Sequence, residues 1–79
     1  MRQTSFAAAT MRPIATDLYR RMVPPATSTL AEARAIAVDM TDAGILDRAE
    51  AFTLAGFASE REWNQAARQR RLWRKMRTS

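Results

Sequence analysis

Arg68, Arg70, Arg71, Arg74, Lys75 and Arg77 stand within one short stretch at the C-terminal end of the chain, with Trp73 among them and no acid. A guanidinium fork matches the planar geometry of phosphate or carboxylate. Several forks along one helix can neutralise several phosphates and release their counterions. Trp73 or Trp63 could add a flat surface for an unpaired base. Cations in adjacent turns repel one another, so a free helix gains nothing from six of them. Complementing the helix's own C-terminal dipole accounts only for those in the last turn. The expectation is therefore an anionic partner contacted by these six side chains: nucleic acid or a nucleoprotein complex first, an acidic protein surface second.

The distribution of charge sharpens that expectation. Residues 1–67 carry seven basic and eight acidic side chains, a net of −1, and residues 68–79 carry six basic ones, which together make the total of +5. The body is slightly acidic and its end is a cationic arm. Twelve arginines against one lysine, with sixteen alanines, suggest a GC-rich bacterial or phage genome.

Catalysis has little to stand on. Cysteine and histidine are absent, which removes disulfides, thiolate or imidazole metal sites and the commonest general base. Asp39 and Asp42 share a helical face, as do Asp47 and Glu50, but the latter pair is explained by capping and all four read as solvated surface acids. There is no Gly-rich phosphate loop, and a Ser or Thr nucleophile would lack its usual base. The chain is expected to be non-enzymatic, with no cofactor and no metal. A helix-turn-helix turning at Gly56 is disfavoured. It places Phe52 where a small residue is wanted and Arg61 where an aliphatic one must be buried. Any DNA contact is then electrostatic rather than sequence-reading.

The elements that must position these groups are helices. Thr29–Glu32, Asp47–Glu50 and Ser59–Glu62 each have the capping-box spacing, in which the cap oxygen accepts from the N3 amide and the N3 carboxylate reaches back. Pro24 and Pro25 precede the first of these starts. Gly44 and Gly56 suit left-handed stops, with Ile45 and Phe57 as the apolar residues that pack back on the helix ends. Pro13 fits the first turn of an earlier helix whose Met11, Ile14, Leu18 and Met22 form a stripe. Period-two runs and hairpin dipeptides are absent. The fold class is all-α, a compact bundle of three to four short helices near 12–23, 30–43, 48–55 and 60–76. Residues 1–79 form a single small domain with 1–10 frayed and 68–79 as the cationic end of the last helix.

Faces follow from 100° per residue. Leu30, Ala33, Ile36, Ala37, Met40 and Ala43 share an arc of the second helix, and Ala66, Leu72, Trp73 and Met76 one side of the last. The expected core is Leu30, Ile36, Met40, Phe52, Phe57, Trp63 and Trp73, with Ile14 and Leu18. No apolar run approaches the ~20 residues of a bilayer span, and Phe6–Met11 is too short for a secretory core. The location expected is the cytoplasm, with no membrane partner. The function expected is a small binding or regulatory protein whose basic last helix engages nucleic acid. The alternative is an inhibitor or adaptor of the phage or bacterial type acting by protein–protein contact through a helix face, with a homodimer among the assemblies open to it.

Overall fold

A computed structural model describes residues 14–78. The expectations for residues 1–10, Met11 and Pro13 lie outside the described residues. Four helices follow in order: α1 over 14–22, α2 Leu30–Asp42, α3 Arg48–Ala55 and α4 Glu60–Thr78. The described residues contain no strand. The bundle is all-α, and its boundaries lie within two residues of those expected wherever they can be compared.

Local chemistry sets those boundaries. At the start of α2 the Thr29 hydroxyl accepts from the Glu32 amide at 3.1 Å and the Glu32 carboxylate accepts from the Thr29 amide at 2.8 Å. Asp47 and Glu50 make the same reciprocal pair before α3, at 2.8 and 3.1 Å. The third box is only half made. Ser59 accepts from the Glu62 amide at 3.3 Å, but the Glu62 carboxylate turns to the Ala58 amide and to Arg34 instead. The Ala58 amide and the Arg34 guanidinium converge on Glu62 Oε1 and hold the carboxylate away from the Ser59 amide.

Both glycines stop their helices in the left-handed region, Gly44 at φ 77° and Gly56 at φ 71°. After α2 the Ile45 amide donates to Met40 O at 2.9 Å and the Gly44 amide to Thr41 O at 3.0 Å, the double closure of a Schellman motif. Phe57 packs back as expected, but after α2 it is Leu46 that enters the core while Ile45 stays exposed.

α2 lies at the centre. Tyr19 of α1 donates to Ala33 O at 3.4 Å, and both α3 and α4 pack on the same helix. With neighbours on several sides, α2 buries more than one stripe, and Val38, outside the expected arc, is fully buried. The core also holds an aromatic cluster in which Phe52, Phe57 and Trp63 have ring centroids 5.2–5.7 Å apart. Arg34 lies over Phe57 and Arg48 over Phe52 and Trp63.

Four expected core residues are surface residues. Ile14 and Leu18 are exposed, and α1 turns Ala15 and Tyr19 inward, with Val23 just after it. Leu30 is exposed at the first turn of α2, and Trp73 is 41% exposed on α4. The stripe expected on α1 follows its largest aliphatics. The helix instead buries the small Ala15, which permits close approach, and Tyr19, whose hydroxyl finds a partner on α2. Burial pushes the Tyr19 phenol above its ordinary pKa.

Candidate functional site

α4 positions the cationic cluster, and its inward face is set by two different kinds of contact. Trp63 and Ala67 are buried against the core. One and two turns further on, the positions that continue the same face are Arg70 and Arg74. They meet carboxylates rather than apolar side chains. Arg70 grips Asp39 with Nε at 3.0 Å from both carboxylate oxygens and Nη2 at 2.7 Å from Oδ2. Arg71 forks onto Asp42 at 2.8 and 3.2 Å. Arg74 reaches Asp39 at 3.5 Å and also pairs with Asp42. The pairs rise together along both helices: Arg34 with Glu62, Asp39 with Arg70, Asp42 with Arg74. α2 and α4 therefore run in the same sense.

Three of the six cations expected to face a partner thus face α2. Asp39 and Asp42, expected to be solvated surface acids, are the counter-charges. Their side chains keep about a quarter of their surface in solvent, 26% and 23%. Both acids sit in the last turn of α2, where the helix dipole disfavours negative charge, and no basic residue of α2 itself stands there. The arginines of α4 supply what α2 lacks. The Arg71 hydrogen bond holds the Asp42 carboxyl below its ordinary pKa, partial burial works against it, and Arg74 adds to the lowering. Asp42 in turn raises Arg71.

The remaining cations are distributed differently. Arg68 is exposed, and Lys75 and Arg77 lie in the exposed last turns. Trp73 is bracketed by guanidiniums one turn on either side, with Arg70 3.9 Å and Arg77 4.8 Å from its ring centroid. A base could stack on this ring only by displacing one of them. Leu72, Trp73 and Met76 are all exposed, so the apolar side of α4 expected to line the core packs on no other helix over its second half among the described residues. Arg70 and Arg74 occupy the seam and rotate those three outward.

An open groove of about 450 Å³ runs between α2 and α4 beside this face. Leu30, Ala31, Arg34 and Ala35 line it from α2, and Glu62, Ala66, Arg70 and Trp73 from α4. Arg34 is a contact that pattern reading missed. Its Nη2 donates to Gly56 O at 3.2 Å and to Glu62 at 3.0 Å, while its buried Nε finds no acceptor among the described residues. The only hint in the sequence was the mismatch of a basic residue beside an apolar arc.

Among the described residues no cluster of carboxylates is placed to hold a metal, and no helix is long and apolar enough to cross a membrane. No family model matches the chain, and no curated protein or solved structure is significantly similar to it.

Proposed function

We propose that this chain is a small non-enzymatic docking module, acting as an inhibitor or adaptor, that binds a partner protein through the second half of α4. The observation that carries the reading is the exposed apolar run Leu72–Trp73–Met76 on a helix whose neighbouring positions are cationic. Large apolar side chains grouped on a helix and edged by charge have the anatomy of an interface core with its polar rim. Trp73 and the arginines around it are the residue types that most often dominate binding energy.

The test is selection of displayed helical peptides on the protein, repeated on a Leu72→Glu/Met76→Glu variant. Both side chains are exposed, so the variant keeps its core. Peptides enriched on the parent and lost on the variant support the reading. Equal enrichment on both, or none on either, overturns it.

Nucleic acid as partner is a second reading, favoured by the absence of any acid on α4 beyond Glu62. Salt dependence separates the two. Six cations all engaged with phosphates would give a log–log slope of roughly −5, whereas with Arg70, Arg71 and Arg74 held by aspartates the slope should be nearer −3. Exchanging those three arginines for glutamine would remove α4's ties to Asp39 and Asp42 along with the charge. Arg68→Gln is the cleaner probe, because Arg68 makes neither of the aspartate contacts.

A further inference from the structure

We infer that two copies of this chain pair through α1, antiparallel about a two-fold axis beside Leu18; the contact uses a different surface from α4 and is tested separately from the docking reading. Ile14, Leu18 and Met22 are 61%, 36% and 50% exposed, although they are the largest aliphatic side chains of α1. They stand four residues apart and so form one row along the helix, the ridge by which two helices most often interlock. α1 spends Ala15 and Tyr19 on its own fold, and the row lies beside that face, open to solvent. The core that the chain builds alone is thin. Among the described residues five of the twelve buried apolar residues are alanine, and Val38 is the largest that is fully buried. Chains this short commonly gain the missing burial from a second copy.

Charge chooses the second copy and its direction. Asp17 and Arg21 stand on one edge of the row, each about 60° round the helix from the row residue three positions earlier. Both are exposed, and neither enters an ion pair among the described residues. An acid precedes Leu18 and a base follows it, so the edge is its own complement when reversed. A parallel pair would set Asp17 against Asp17 and Arg21 against Arg21. In an antiparallel pair Ile14 meets Met22 of the second copy and Leu18 meets Leu18. Asp17 then meets Arg21 twice over, offset by only about 3 Å along the axis. α4 offers no such self-match, since from Arg68 onward it holds six cations and no acid. The patch is three side chains a copy, well below the ~800 Å² per partner of a standard interface. The dimer is therefore weak, with Kd on the order of 0.1 mM.

The experiment is sedimentation equilibrium of the full-length protein from about 20 μM to 1 mM, at about 150 mM salt to screen the +5 charge of each copy. The expected result is a mass that rises with concentration from 8.9 kDa toward twice that value. Asp17→Arg and Arg21→Asp each oppose like charges at two contacts and should weaken association by about tenfold or more. An equimolar mixture of the two variants makes both contacts complementary again and should associate within about threefold of the parent. An Asp17–Arg21 pair within one helix would give no such gain on mixing. Ile14→Glu, at the most exposed position of the row, should leave a monomer. All three positions are exposed, so the far-ultraviolet circular dichroism of each variant should match the parent. Independently of any variant, diluting the isotope-labelled parent should move the Leu18 and Arg21 amides and leave the Trp73 indole still.

A parent that stays monomeric at about 1 mM would overturn the inference. Association unchanged in both charge variants would overturn it too, as would variants that are weakened alone and not rescued by mixing. Dilution shifts at Trp73 with α1 still would move the contact between copies to α4 and overturn it as well. None of these results bears on the displayed-peptide selection, which decides the docking reading of α4 by itself.

Discussion

The tie between Asp39 and Arg70 should be worth about 1–2 kcal/mol, and the coupling energy of its mutant cycle distinguishes a clamp from an ordinary surface pair. Two unit charges about 4 Å apart gain roughly 4 kcal/mol at an effective dielectric of 20. Ordering two long side chains and partly desolvating them offset much of that. Exposed pairs net only about 0.2–1 kcal/mol, whereas breaking a fully buried pair costs about 3–5 kcal/mol. Side-chain exposures of 20% for Arg70 and 26% for Asp39, with a forked geometry, place this pair between those limits. Asp39→Ala in the parent should therefore lower stability by about 1 kcal/mol or slightly more, because relief of the unfavourable helix-dipole position returns about 0.3–1 kcal/mol. The same substitution on an Arg70→Ala background should be close to neutral, since only the longer contact with Arg74 at 3.5 Å then offsets the dipole penalty. Urea unfolding followed by far-ultraviolet circular dichroism gives all four corners of the cycle. In heating experiments the parent substitution should cost about 5–10 °C, as expected for a domain of this size. A coupling energy inside the ~0.3 kcal/mol additivity error would refute the reasoning and return both residues to the solvated surface.

Other outcomes follow from the same geometry. Asp39→Asn/Asp42→Asn should release Arg70, Arg71 and Arg74, so binding to a polyanion such as heparin should tighten and its salt slope should steepen from roughly −3 toward −5. An unchanged slope would mean that the aspartates do not restrain the arginines. Because the Asp42 carboxyl is depressed from its ordinary value of 3.8, its contribution is present above that pH and is lost as pH falls through the lower folded value. Asp42→Asn should therefore narrow the gap between stability at neutral and at strongly acidic pH, as read by urea midpoints at each. Gly56→Ala should destabilise by about 1 kcal/mol, because a Cβ is strained at positive φ even though nothing lies within 4 Å of its position. Trp63→Ala, which empties the middle of the aromatic cluster, should cost about 3–5 kcal/mol and lose the cooperative transition; a residual sharp transition would place the core elsewhere.

Helix positions were legible in the sequence because their causes are local. Thr29 with Glu32 and Asp47 with Glu50 close hydrogen bonds three residues apart, and a left-handed stop at Gly44 or Gly56 depends on that residue's own backbone freedom. The half-made box at Ser59 already marks the limit, since Glu62 is diverted by Arg34 from another helix. Which side of each helix faces inward was decided by tertiary structure. α1 buries Ala15 and Tyr19 rather than Ile14 and Leu18 because α2 offers a close surface and a carbonyl at Ala33. α4 turns Leu72, Trp73 and Met76 outward because Asp39 and Asp42, some thirty residues earlier, accept Arg70 and Arg74 at the seam. Hydrophobic periodicity ranks faces by apolar content alone. An ion pair across two helices outweighs that ranking only once the fold has brought both partners within reach.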